Sequence, residues 1–319
     1  MTVSYEDVVR AAERIKPYVY NTPLMLSEAL SDAFDTNVYL KLDSLQKTGA
    51  FKVRGIFNKM LSSTAKKFVT ASSGNHGLGL ACASRTLGVD STVVVPVYTP
   101  AKKVKAIQRY GAKVLLVGNN WNESYEEAVR ISEKEGSVLV HPFEDAEVVA
   151  GQGTLAVEIM DAMPRKPTHF LASIGGGSMI AGCSVVVKTR SPETRVLGLQ
   201  TFQANAMHAG LQAGKPVILD RVSTVVESFA TKTVSTLTLS SVQKYVDEVI
   251  LLDEKLCRKE ALFVLERCNL LVELSASINV AALRAKSFPY KKDDAVVIVI
   301  CGGNYNLHDL IPDWDAQVA

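Results

Sequence analysis

From residue 38 to residue 300 the chain alternates short apolar runs, rich in β-branched residues, with longer amphipathic segments. A strand with no polar face must be covered on both sides, and strands separated by helices pair in parallel. The alternation predicts strands at 38–42, 68–70, 92–96, 113–117, 138–140, 170–173, 195–200, 249–252 and 295–300. Between them it predicts helices at 74–87, 101–110, 123–134, from near 148, and at 178–188, 254–267 and 275–286. Ahead of the series, Ser4 with Asp7 forms a capping box for a first helix, and a second helix starts at Ser27. The fold class is therefore α/β, with two doubly wound open-sheet lobes packed around a cleft.

Composition narrows the partners. Lys and Arg total 35 against 33 Asp and Glu, a net charge of +2 spread along the sequence, which leaves no footprint for nucleic acid. Five well-separated cysteines, Cys82, Cys183, Cys257, Cys268 and Cys301, form no C-x-x-C pair, and no histidine stands at metal-ligand spacing. The chain is expected to bind no metal and to be cytoplasmic, since free thiols suit a reducing compartment and no signal peptide opens it. One uncharged stretch, 167–187, is long enough for a membrane span, but His169 and Gly175-Gly176-Gly177-Ser178 interrupt it; strand, turn and helix fit better.

Glycine clusters sit where strands hand over to helices, the ligand-binding edge of an open α/β sheet. The sharpest is Gly175-Gly176-Gly177-Ser178, where close backbone approach and a helix N-terminus suit a phosphate. A second, Ser72-Ser73-Gly74-Asn75-His76-Gly77, offers hydroxyls, an amide and N–H groups to a carboxylate or a polar ring substituent. Upstream, Phe51 and Lys52 stand at a glycine-preceded helix start, although Lys52 on its own reads as a solvated surface lysine. The third cluster, Cys301-Gly302-Gly303-Asn304, closes the last buried strand; Cys301 alone reads as a small buried hydrophobe. Gly151-x-Gly153-x-x-Ala156 matches a dinucleotide fingerprint in letters but has no strand before it. No phosphate-loop motif or G-x-S-x-G frame occurs.

Taken in order, K-T-G-A-F-K-V-R-G, S-S-G-N-H-G, G-G-G-S and C-G-G-N resemble the fold-type II pyridoxal-phosphate enzymes, whose fold is like that of the tryptophan synthase β subunit. Within them the chain is similar to the serine/threonine dehydratase and serine racemase group, and closest to serine dehydratase. The resemblance implies a large cofactor-binding domain from 1–42 and 146–319, a small domain from 43–145, and a homodimer. It implies β-elimination from a hydroxy amino acid such as L-serine or L-threonine, giving a 2-oxo acid and ammonia. Lys52 would form the Schiff base with pyridoxal phosphate and remove the α-proton. Phe51 would lie beside the ring, Gly175, Gly176, Gly177 and Ser178 would hold the phosphate, and Asn75 the ring hydroxyl. Cys301 would face the ring nitrogen as a neutral partner. Ser72, Ser73, Asn75 and His76 would bind the amino-acid substrate.

Several positions depart from the family pattern. Ser178 replaces the fourth glycine, and Leu274-Ser275-Ala276-Ser277 replaces a Pro- or Gly-rich turn after Glu273. Gln200 and Ala206 stand where relatives place two acidic cation ligands, so a hard cation should bind weakly. Ser73 matches serine racemases, in which a serine reprotonates the second face, whereas liver-type dehydratases have alanine. The alternative function is thus a serine racemase with dehydratase side activity. The chain's end soon after Asn304 predicts no appended regulatory domain.

Overall fold

The computed structural model describes residues 2–305. Its strands are β1 (Leu24–Leu26), β2 (Asn37–Leu42), β3 (Lys67–Ala71), β4 (Asp90–Val95), β5 (Lys113–Leu116), β6 (Val138–Leu139), β7 (His169–Ser173), β8 (Arg195–Thr201), β9 (Glu248–Leu252) and β10 (Ala295–Ile300). The helices are α1 (Tyr5–Ile15), α2 (Glu28–Phe34), α3 (Val53–Leu61), α4 (Asn75–Leu87), α5 (Ala101–Gln108), α6 (Trp121–Glu135), α7 (Ala146–Ala162), α8 (Ser178–Arg190), α9 (Ala206–Ala213), α10 (Thr236–Tyr245), α11 (Lys255–Cys268) and α12 (Leu274–Arg284).

Two sheets result, a six-stranded one ordered β1-β2-β10-β7-β8-β9 and a four-stranded one ordered β5-β4-β3-β6. The α/β reading is borne out, with one difference: β1 runs antiparallel to β2, making the larger sheet mixed. Such an edge strand is short and half exposed, so apolar periodicity does not announce it. Helices α9 and α10 are likewise additions to the expected elements; their stretch of chain lacks a strong apolar period. The Ser4–Asp7 capping box and the Ser27 cap both form.

Every residue of β10 is buried, because the strand lies between β2 and β7 and under helices. It pairs Ile300 with Leu42 and Ile298 with Leu171. Consequently the loops after β7 and β10 open at one edge, as parallel pairing requires.

Gly151 and Gly153, the letters of the dinucleotide fingerprint, lie inside α7. A Cβ on Gly151 would stand 2.5 Å from the Cα of Gly55, and one on Gly153 would stand 2.7 Å from the carbonyl oxygen of Gly182. These glycines let α7 approach α3 and α8 closely, so their place is filled by helix packing. Beside them is a buried ionic cluster that no sequence motif announces. Arg54 holds Asp43 through Nε at 2.6 Å and Nη2 at 2.9 Å, and Glu158 through Nη1 at 2.6 Å, while Lys41 reaches Glu158 at 2.6 Å. The cluster ties α3 to α7 and β2.

Candidate active site

The turn before α3 forces the chain through two left-handed residues, Thr48 (φ 63) and Gly49 (φ 71). A glycine is needed at the second: a Cβ there would sit 2.6 Å from Oδ1 of Asn304. The turn delivers Ala50 into a bridge with Gly302, and the Phe51 N–H donates to the Cys301 carbonyl at 3.0 Å. Lys52, the N-cap of α3, therefore stands directly beside the end of β10. Its Nζ lies 4.9 Å from the centre of the Phe51 ring. Burial lowers the Lys52 amine to about 8, and the nearby Glu273 offsets only part of that effect. The solvated-lysine expectation thus fails, because α3 turns Lys52 inward.

Cys301 is buried, with Ser275 Oγ at 3.5 Å and Ser173 Oγ at 3.7 Å from its sulfur. Burial and Glu273 push its thiol up to about 11, so it stays neutral. It offers a ligand an uncharged contact and no nucleophile.

Asn75 opens α4 after an uncapped Gly74. Its Nδ2 donates to Glu273 Oε1 at 2.8 Å, and its Oδ1 accepts from Asn304 Nδ2 at 2.9 Å. Glu273 and Asn304 belong to the site although the sequence alone gives neither a role there. The usable signal is C-G-G-N, which places Asn304 beside the predicted cysteine. The Glu273 carboxyl is buried and pushed above the usual carboxylate range, chiefly by desolvation.

Ser72 and Ser73 lie half-buried in the loop after β3, where Ser72 Oγ accepts the Gly74 N–H at 3.3 Å. Trp121 steadies the same loop by donating Nε1–H to the Ala71 carbonyl at 2.9 Å. His76 is buried; its Nε2 meets the Val140 carbonyl at 3.0 Å and its Nδ1 has no protein partner. Burial first, then the charge of Lys52, lower His76 to about 3, so it is neutral.

Gly175, Gly176 and Gly177 lead into α8, whose N-terminus carries no side-chain cap. A Cβ on Gly175 would lie 2.3 Å from the Ser228 carbonyl oxygen, and one on Gly176 would lie 2.2 Å from the Phe143 ring. Gly177 has φ 92. All three positions therefore exclude side chains, and the buried helix end beyond them is left with free N–H groups, the requirements of a phosphate cradle. A half-buried amine, a neutral thiol and this cradle, whose preceding Ser173 touches Cys301, fit an aldehyde cofactor bearing a phosphate and a weakly basic ring. The fourth cradle residue, Ser178, is buried within the first turn.

At the position of the expected weak cation site, Gln200 is committed to the protein: Oε1 accepts the His208 N–H at 3.0 Å and Nε2 donates to the Ile174 carbonyl at 3.3 Å. Among the described residues no group of three or more His, Cys, Asp or Glu is placed to hold a metal. No described helix is long and apolar enough to cross a membrane.

A family model described as pyridoxal-phosphate dependent enzyme matches residues 15–302. An L-threonine ammonia-lyase from Thermotoga maritima is 39% identical over 310 residues, covering 96% of this chain and 77% of that enzyme. The catabolic L-threonine dehydratase of Escherichia coli is 32% identical, covering 96% and 94%. Among solved structures, maize serine racemase superposes with a TM-score of 0.93 at 28% identity, covering 99% of this chain and 97% of that one. A serine racemase from Dictyostelium discoideum gives 0.89 at 30% identity, covering 95% and 99%.

Proposed function

The chain belongs to the pyridoxal-phosphate dependent enzymes, and from that premise we propose that it is an ammonia-lyase, converting L-threonine or L-serine to a 2-oxo acid and ammonia. Bound pyridoxal phosphate supplies an aldehyde for the substrate amine and a ring that accepts the electrons of the broken Cα–H bond. The observation that carries the reading is the inward Lys52 amine, lowered to about 8 and set beside a neutral Cys301.

In this reading Lys52 anchors the cofactor, then takes the α-proton on Nζ; its lowered basicity leaves a useful fraction unprotonated near neutral pH. Phe51 packs along the ring, and Gly175, Gly176, Gly177 and Ser178 bind the phosphate with backbone N–H groups. Asn75 binds the ring oxygen. Ser72, Ser73 and Asn75 receive the substrate carboxylate with hydroxyl and N–H donors, and His76, whose single N–H is spent on the Val140 carbonyl, borders that site as a neutral ring whose Nδ1 can only accept. Cys301 contributes a weak, uncharged contact, which leaves the ring nitrogen less protonated and favours prompt loss of a β-substituent.

A serine racemase with dehydratase side activity is the second reading, supported by the hydroxyl of Ser73 and by the likeness to maize serine racemase. We place the protein in the cytosol as a homodimer, in keeping with its five free thiols and with the resemblance. One experiment tests the main reading. Protein loaded with pyridoxal phosphate is given L-threonine, L-serine, D-serine and 3-hydroxyaspartate, and 2-oxo acid and enantiomer ratio are read from the same samples. Oxo acid from the L-hydroxy amino acids, lost in Lys52→Ala, is expected; oxo acid at the parent rate from Lys52→Ala would overturn the assignment.

A further inference from the structure

Four residues form a hydrogen-bond chain with one direction. The Thr48 carbonyl oxygen, which can only accept, takes Asn304 Nδ2 at 2.6 Å. The second hydrogen of that nitrogen goes to Asn75 Oδ1 at 2.9 Å. Asn75 Nδ2 in turn donates to Glu273 Oε1 at 2.8 Å, and the same oxygen accepts the Asn304 backbone N–H at 3.1 Å. Both ends of the chain are acceptors, so both amides are fixed. Turning Asn75 over would set oxygen against oxygen at Glu273 and nitrogen against nitrogen at Asn304. With one N–H used by Glu273, Asn75 keeps one more to give.

We propose that Glu273 is a positioning residue that locks the Asn75 amide as a donor toward the ring oxygen of pyridoxal phosphate, holding that oxygen as its phenolate. The inference rests on the cofactor reading above and deepens it. Because Oε1 accepts two N–H groups, it acts as acceptor whether or not a proton resides on Oε2, which faces Ser275 Oγ at 3.4 Å. Glu273 also stands against the Gly302 backbone, where a Cβ would lie 2.4 Å from Oε1, so the glycine leaves the room the carboxyl occupies. The titratable and charged groups that bear on it are Cys301, Lys52 and, more distantly, Glu227.

The test is the visible absorption of the loaded protein as a function of pH. Glu273→Gln can donate as well as accept, which allows the chain to reverse; Asn304→Ala removes the donor that pins Asn75 Oδ1. In both, the ratio of the long-wavelength phenolate band to the short-wavelength phenol band at neutral pH should fall by about tenfold, the size of one lost charge-assisted hydrogen bond. Unchanged ratios with cofactor bound would overturn the inference. If Glu273→Gln does not fold, Asn304→Ala alone decides. Failure of the parent protein to take up cofactor, read as absent absorbance, would instead sink the functional reading.

Discussion

The Phe51 N–H donates to the Cys301 carbonyl at 3.0 Å, so the residue before Lys52 is stitched to the residue that follows β10. The backbones that carry the Lys52 amine and the Cys301 thiol are thereby set side by side at the end of β10, independent of any side-chain choice.

That placement fixes a pH dependence for Lys52. Its folded value, about 8, is below the 10.5 of an exposed lysine. Acylation of cofactor-free protein by a limiting amine reagent, followed peptide by peptide, should show Lys52 labelling rising with a midpoint near pH 8, well below that of exposed lysines. A midpoint shared with the surface lysines would contradict the burial argument. Between pH 8 and 10.5 the unfolded chain holds the proton that the folded protein has released, so this group makes folding more favourable as pH rises through that window.

Two buried histidines act at lower pH. His76 is lowered to about 3 and His141 to about 4 from 6.5, each mainly by desolvation. Below pH 6.5 the unfolded chain binds protons that the folded protein refuses, so stability falls as pH falls toward 4, by up to about 1.4 kcal/mol per unit per histidine. Urea midpoints measured from pH 7 down through this window should drop, and the slope should become shallower in His76→Gln.

Gly176→Ala should cost cofactor affinity. The added methyl would meet the Phe143 ring, which is itself packed edge-on to His141 at 4.6 Å between centroids. A rise in the dissociation constant for pyridoxal phosphate of about tenfold or more is expected, the scale of one overpacked contact, with partial recovery in the double variant with Phe143→Leu. Equal affinity in all three proteins would remove the cradle argument.

Ser73→Ala separates the two functional readings. If the enzyme is an eliminase, oxo-acid formation should survive at saturating substrate, with KM raised by the loss of one hydrogen bond to the substrate carboxylate. If Ser73 works as an acid, exchange of serine enantiomers should disappear while elimination survives; equal loss of both would show a general role in substrate binding.

Asp43→Ala strands Arg54, which is fully buried, with Glu158 as its remaining carboxylate. Removing one partner of a buried pair costs about 3–5 kcal/mol, so the urea midpoint should fall steeply. Because the cluster holds α3, cofactor affinity should fall with it; a stable variant of normal affinity would make the cluster ornamental.

The fold is legible wherever chemistry is local. Buried strands such as β10 advertise themselves by an unbroken apolar run, and Ser4 and Ser27 by their caps. β1 is invisible because an exposed edge of three residues has no period to read. The glycines of the cradle can be read in advance because excluding a Cβ is a property of the residue itself. Glu273 cannot be, since its role depends on Asn75 and Asn304, which are distant in sequence and meet it only through tertiary packing. Arg54 lies inside a recognised motif, yet its partners Asp43 and Glu158 meet it only through tertiary packing.

The position of β10 bears on how the molecule assembles. The last of the described strands lies between β2 and β7, which are synthesised far earlier, so until it emerges the larger sheet is two separate pieces with unpaired edges. Contacts of such long sequence separation form slowly. On the ribosome the four-stranded sheet, continuous in sequence from β3 to β6, can close first, while the larger one waits open for its central strand. The juxtaposition of Cys301 with Lys52 is then among the last events of biogenesis, and a chain that stalls before β10 exposes an edge ready to pair with another copy.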